Sequence, residues 1–416
     1  MNAEIRAVQR RERHIAHRLK SIAFDARRLE GKLGMLEDAL EDLDSSKLRF
    51  LANERCGSWY LPSKSYFRRR HQLDDGAGED SAHKAGTANT SMPPNSPTTC
   101  YFKSSDGHYG QWAFSTSRLN LAVVKPLLRS ETSPELHEAS IEPSSTGSVT
   151  VIVDATQHGK AYPDSFSKTI PMWARVMNEA YFRNIDADAA SPPSLLPPWL
   201  HPSETNSIAQ RLPSFVSAFC AVCPPSLAPD VVHLEHPLTI VWLHGEDDDA
   251  SWRKAADSVQ LLSHNHHVLV LVCASGDATW GAAAKEGDLP PARHGWTYVR
   301  GAADDHQSWG MGLTCEIFWE HVDALTDPAL SLDDVEESVE QIVKETISGQ
   351  QASDAFTHSV DDTRKVLTNV LQRAVLISND ISVPAVQLCA VVGVERPSPL
   401  PHHSSIPPRL LTIAML

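Results

Sequence analysis

The chain has 416 residues, of which 41% are hydrophobic and 21% charged, and a formal net charge of −15. Such a composition belongs to soluble globular proteins with room for two or three cores, and it excludes fibres and coiled coils. No apolar run approaches the roughly 18 to 20 residues that span a bilayer, so no membrane partner is expected. The charged first thirty residues lack a signal-peptide pattern, and the expected location is cytoplasmic.

The charge is unevenly placed. Residues 1 to 185 hold 25 Lys and Arg against 22 Asp and Glu, whereas residues 186 to 416 hold 12 against 30. An RNA backbone, if bound, is therefore expected on the first half. The seven cysteines are odd in number and thinly spread, which suits free thiols. Cys220-Ala-Val-Cys223 has no second pair at zinc spacing.

In chain order, Glu4 to Phe24 places Ile5, Val8, Ile15, Leu19, Ile22 and Phe24 at near-helical spacing among many cations. The pattern predicts a basic amphipathic helix, either packed on the domain or contacting phosphate, with a second helical stretch from Asp25 to Leu51. Arg68 to Pro97 is rich in Gly, Asp, Ser and Pro without apolar periodicity and reads as a disordered loop insertion. Arg129 to Ser148 is a second polar break before a strand at Val149 to Val153. Ala187 to Pro202 is Pro-rich and reads as a hinge.

The second half reads as α/β. Leu238 to Leu243, Val268 to Cys273 and Ala374 to Ile377 are buried-strand candidates between helical stretches, the pattern of a mostly parallel sheet covered by helices. Asp333 to Ile347 reads as an acidic helix with a solvated face, and Val394 to Leu416 as an irregular tail.

Four segments carry polar groups that packing does not require. Tyr101 to Asn120 holds Lys103, Asp106, His108, Arg118 and Asn120 among aromatics, a mixture that suits phosphate or an aromatic-rich turn. In the segment 151 to 160, Asp154 ends a strand and is followed by Thr156, Gly159 and Lys160, so a carboxylate, a hydroxyl and an ammonium meet at a strand's C-terminal edge. Such a loop could hold a ribose through Asp154 and a phosphate through the other three. Pro163 to Trp173 places Asp164 and Lys168 before a Pro-started helix, where Lys168 could meet an anion or Ser167 or Thr169 could cap the helix. Asp304, Asp305 and His306, read as following a strand, could bind a divalent ion, act as base, or begin a capped helix.

Taken together these segments resemble the initiator tRNA 2′-O-ribosyl phosphate transferases. The resemblance rests on Cys56-Gly-Ser-Trp-Tyr-Leu-Pro62, the Tyr101 to Leu121 stretch, Ile152-Val-Asp-Ala-Thr156 with Gly159-Lys160, Pro163 to Trp173, and Gly301-Ala-Ala-Asp-Asp-His306 with Trp309 and Phe318-Trp319, in family order over nearly the whole chain. It implies transfer of a phosphoribosyl group from phosphoribosyl pyrophosphate, with Mg²⁺, to the 2′-hydroxyl of adenosine 64 of initiator tRNA, keeping the initiator out of elongation. It also implies an α/β chain with an α+β N-terminal domain of unusual fold over 1–186 and, after a connector at 187–229, a C-terminal α/β domain over 230–393 similar to dual-specificity phosphatases.

On this reading Asp106, His108 and Asp154 are the catalytic candidates, with Asp154 or Asp106 available to the metal. Lys103, Arg118, Asn120, Thr156, Gly159, Lys160, Asp164, Lys168, Asp304, Asp305 and His306 are the substrate-binding candidates. The chain departs from the family at Gln157 and His158, where arginines are usual, and at its phosphatase-like loop. Ala374 to Ile377 reaches Asp380-Ile-Ser-Val383 through only Ser378 and Asn379, which removes the cysteine nucleophile and its cradle of amides. Two other readings are an RNA-binding protein of the same fold without catalysis and a phosphoribosyltransferase acting on a small metabolite.

Overall fold

A computed structural model of the chain describes residues 14–54, 56–61, 99–130, 146–157, 160–182, 195–223, 232–276 and 296–348. The chain divides into units Met1–Ile347 and Ser348–Leu416, and the architecture below is that of the first. The expectations for residues 1–13, 62–98, His158, Gly159, the strand at Ala374 to Ile377, the shortened phosphatase-like loop and the tail lie outside the described residues.

Seven strands are described: β1 (Leu48–Asn53), β2 (Thr99–Cys100), β3 (Leu128–Ser130), β4 (Val149–Asp154), β5 (Val232–Leu234), β6 (Leu238–His244) and β7 (His267–Cys273). Five of them form one parallel sheet in the order β2-β1-β4-β7-β6. The short strands β3 and β5 pair antiparallel in a sheet of their own. The parallel sheet bears out the expected α/β class.

All six residues of β4 and all seven of β7 are buried, as befits inner strands of a parallel sheet covered on both faces. Alternate side chains feed two cores. Val149, Val151 and Val153 of β4 with Val268, Val270 and Val272 of β7 meet helices α1 (Ile15–Ala39) and α4 (Asp249–Ser263). Ile152, Leu269 and Leu271 meet α2 (Ile170–Tyr181) and α3 (Pro202–Val222) on the opposite face. Each fully buried aliphatic side chain contributes about 2 kcal/mol from burial alone.

Helix α1 presents Leu19, Ile22, Ala26, Leu29, Leu33 and Leu36 at three- and four-residue steps, and His14 caps it by accepting from the Ala16 amide. Asp248 caps α4 through the Ser251 amide at 2.7 Å. Residues 332–348 form a helix that buries Val335, Val339 and Val343 and leaves most of its acids in solvent, as the sequence pattern predicts.

Three expectations are corrected. The helical stretch ends at Ala39, and Leu48 to Leu51 belong to β1, whose parallel pairing with β4 outweighs the local helical pattern. The 187–229 segment does not divide one sheet from another, because β4 before it pairs with β7 after it, Val149 opposite Val268 and Asp154 opposite Cys273. Finally, among the described residues 296–305 no strand leads into Asp304; the chain runs through turns at residues 300–305.

Candidate active site

Because β1, β4, β6 and β7 run parallel, Asn53, Asp154, His244 and Cys273 emerge together at the carboxyl edge of the sheet, the usual ligand position of open α/β folds. Asp154 is 4% exposed and accepts from Asn53 Nδ2 at 2.7 Å and Ser165 Oγ at 2.8 Å on Oδ2, and from the Ala155 amide at 2.9 Å on Oδ1. Burial raises its carboxyl to about 6, against the hydrogen bonds that favour the anion and with the help of the nearby Asp304 charge. With both oxygens engaged by protein groups, Asp154 anchors the loops around it.

Asn53 also ties Phe102 on both sides, donating to its carbonyl at 3.0 Å and accepting from its amide at 2.7 Å. This fixes the start of the turn Lys103 to His108. The turn then lies on the segment Asp164 to Thr169: Thr169 Oγ1 donates to the Lys103 carbonyl at 2.9 Å, and a β-carbon on Gly107 would come within 2.7 Å of the Asp164 carbonyl oxygen. Only a glycine permits that approach. Two motifs about sixty residues apart in the sequence thus form one site.

At their junction Asp164, 6% exposed, faces two ammonium groups and an imidazole. Lys160 Nζ lies 2.5 Å from its Oδ2, Lys168 Nζ 3.1 Å from its Oδ1, and His108 Nε2 3.8 Å from Oδ2. Lys168 reaches Glu204 Oε1 of α3 as well, at 3.2 Å, and Trp112 Nε1 donates to the same oxygen at 3.1 Å. Lys168 is therefore a buried member of an ion-pair network within a π-helical turn, Ser165–Thr169, that leads into α2. It stands directly before Thr169, the N-cap position of α2, where its ammonium pairs with carboxylates, and the Thr169 hydroxyl donates to the Lys103 carbonyl and makes no cap bond.

The open cationic surface lies beside this network. Lys103, Asp106, Arg118 and Asn120 line a shallow cleft with Tyr101 and Phe114. The Arg118 guanidinium stacks 3.8 Å over the Tyr101 ring, and Lys103 is exposed. Asp106 is half-buried, which raises its carboxyl, while Lys103 and His108 pull it back down. Asn120 spends its amide on Tyr101, accepting from its N–H and donating to its carbonyl, each at 2.9 Å, from a left-handed backbone with φ of 50°. Those bonds make it part of the cleft wall.

On the other side of Asp154, the Thr156 amide donates to Ser275 Oγ at 3.1 Å, and that hydroxyl donates back to the Thr156 carbonyl at 2.9 Å. Gly301, at φ of 61°, presses against Thr156, where a β-carbon would meet backbone at 2.6 Å. Thr156 is 8% exposed and belongs to this packing. Asp304 and Asp305 are exposed, and the His306 ring tilts on Trp59 at 5.6 Å. Asp305 starts the helix His306–Trp309 from a left-handed backbone without a side-chain cap. Of the three, Asp304 is the one whose charge reaches Asp154. Among the described residues no three His, Cys, Asp or Glu side chains gather at metal-binding distances, so the Asp304 to His306 run is not a ready-made ion site.

Asn53, Ser165, Glu204 and Ser275 are the site residues that the sequence pattern does not single out. Asn53 closes a strand, as Asp154 does, and that shared position is the signal that could find it.

The sheet edge and its cation–carboxylate cluster define an α/β protein with a polar, anion-suited site at the carboxyl ends of its strands. Residues 89–347 match the family described as "Rit1 N-terminal domain", and the chain belongs to the Rit1 family. It is 30% identical over 352 residues to a Schizosaccharomyces pombe protein named "Uncharacterized protein C3F10.06c", covering 83% of this chain and 59% of that one. It is 25% identical over 361 residues to a Saccharomyces cerevisiae protein named "tRNA A64-2'-O-ribosylphosphate transferase", covering 82% and 57%. The chain thus spans less than two thirds of the length of these relatives. No solved structure matches it.

Proposed function

We propose that the protein is a transferase that modifies tRNA, moving a 5-phosphoribosyl group from phosphoribosyl pyrophosphate to the 2′-hydroxyl of adenosine 64 of initiator tRNA. The observation that carries this reading is the seating of the Lys103 to His108 turn on the Asp164 to Thr169 segment, in a chain whose yeast relative bears the name of that activity. In the reaction the 2′-oxygen bonds to C1 of the donor ribose, the bond from C1 to pyrophosphate breaks, and the hydroxyl proton leaves to a base.

Three demands follow: neutralising the departing pyrophosphate, tolerating positive charge on the ribose ring, and accepting the proton. Lys103 and Arg118 meet the first demand because they are exposed cations on an open cleft. Lys160, half-exposed above Asp164, can swing toward the same phosphates, while Lys168 holds Asp164 in place. His108, exposed and beside Asp164, is the base.

Mg²⁺ takes one or two carboxylates together with substrate phosphates. Asp106 fits that role, since its half-buried carboxylate lies on the cleft wall, whereas Asp154 is occupied. The ion, when bound, would screen the pyrophosphate charge. The test is incubation of the purified chain with labelled phosphoribosyl pyrophosphate, Mg²⁺ and initiator tRNA, with an elongator tRNA as control. Label on the initiator alone is the expected result. Label on neither, or on both, refutes the reading.

A further inference from the structure

The Lys103 to His108 turn ends on a residue that the chemistry above does not use. Tyr109 is 75% exposed, the most exposed aromatic side chain among the described residues, although it directly follows His108. Its backbone is held: the Gln111 amide donates to the His108 carbonyl at 2.9 Å and the Ala113 amide to the Asp106 carbonyl at 2.9 Å. Gly110, at φ of 76° and with nothing within 4 Å of where a β-carbon would stand, completes a tight turn whose tip is the tyrosine.

The ring is propped as well. Its edge meets Trp112 at a centroid distance of 5.6 Å and an angle of 72°. Trp112 is itself fixed, 7% exposed and bonded through Nε1 to Glu204, and the Arg211 guanidinium lies 4.9 Å over its ring and donates to its carbonyl at 3.1 Å. The result is an aromatic surface braced by a buried indole, with the exposed Arg211 guanidinium lying over that indole.

We infer that Tyr109 is a stacking platform for an unstacked nucleobase of the bound RNA, beside the ribose that accepts the phosphoribosyl group, with Arg211 close enough to meet the adjoining phosphate. Rings of this kind take any base through its π-face, and cations beside them follow the backbone. The inference rests on the RNA being the acceptor, as proposed above, but it concerns binding and not transfer.

The test is the equilibrium binding of fluorescein-labelled initiator tRNA to the full chain over a salt series, without donor, for the parent protein, Tyr109→Ala and Tyr109→Phe. Stacking one base carries an alanine penalty that corresponds to roughly 5- to 150-fold in Kd. Tyr109→Ala is expected to weaken binding within that range with an unchanged slope against log salt, because the ring neutralises no phosphate. Tyr109→Phe is expected to remain within about twofold of the parent. Thermal melting of both variants at the parent temperature verifies the fold, which an exposed ring does not support.

Unchanged binding by Tyr109→Ala, equal loss in Tyr109→Phe, or a parent chain that binds no tRNA each overturns the inference. A parent chain that binds tRNA yet transfers nothing refutes the proposed reaction alone and leaves the platform standing.

Discussion

Gly107 and the carbonyl of Asp164 occupy the same small space, since a β-carbon at residue 107 would stand 2.7 Å from that oxygen, 3.0 Å from Thr169 Oγ1 and 3.1 Å from Lys168 Cβ. The nearest neighbour is backbone and cannot rotate away. Gly107→Ala should force the two segments apart and separate Lys103, Asp106 and His108 from the Asp164 network. The expected result is a loss of about 1 to 3 kcal/mol in stability, as for overpacking a tight site, and at least a tenfold fall in transfer activity. Urea unfolding followed by tryptophan fluorescence, alongside the labelled-donor assay, measures both. Parental activity in the variant would show that the two segments do not act together.

Asp154 links stability to pH. Burial raises its carboxyl from 3.8 to about 6, so the folded state favours the protonated form more than the unfolded chain does. Its contribution is therefore full below pH 3.8 and is lost as the pH rises through about 6. The loss is about 3 kcal/mol at its full extent. Asp154→Asn removes the titration, at the cost of setting an amide donor against Asn53, Ser165 or Ala155. The difference in unfolding free energy between parent and variant should shrink between pH 4.5 and pH 7.5. A pH-independent difference would contradict the raised carboxyl.

Lys103 and Arg118 should matter for the donor. Charge-assisted contacts to phosphate contribute about 1.5 to 3 kcal/mol each. Lys103→Ala and Arg118→Ala are each expected to raise the KM for phosphoribosyl pyrophosphate by roughly tenfold or more while leaving the melting temperature close to that of the parent. Isothermal titration with the donor and Mg²⁺ reports the same loss directly. Equal donor affinity in both variants would remove the cleft from the site.

Asp164→Asn should act in the opposite way. It leaves Lys168 with Glu204 alone and Lys160 without its carboxylate. Breaking a buried pair costs about 3 to 5 kcal/mol, and the surviving bond to Glu204 brings the expected loss toward the lower figure. Melting should fall by several degrees, and a further fall in the double variant Asp164→Asn with Glu204→Gln would show the two acids sharing Lys168.

Much of the sheet is readable in the chain itself. Val149 to Val153, Leu238 to Leu243 and Val268 to Cys273 are apolar runs without helical periodicity, and they are β4, β6 and β7. β1 is hidden because Leu48-Arg-Phe-Leu continues the apolar spacing of α1, and its strand character comes from a partner about a hundred residues away. The site shows the same division. Lys103, Asp106, His108, Asp164 and Lys168 stand out as polar groups in aromatic segments, and they do converge. The roles of Asn120 and Thr156 are not legible in the chain, because their hydrogen bonds go to groups that only the fold brings near. Glu204 gives no signal, since on its own helix it is one acid near an N-terminus.

The pairing of Val149 with Val268 also has a consequence for how the protein is made. During synthesis, β4 leaves the ribosome with β1 already available on one side but with its other edge bare until β7 follows. Contacts so distant in sequence close slowly. For that interval a strand of valines and isoleucine stands open to any passing chain, the situation in which nascent proteins aggregate. A shortened product ending at residue 186 keeps that edge exposed permanently, so it should collect in inclusion bodies, and the yield of intact protein should rise when translation is slowed or a chaperone that shields nascent strands is supplied.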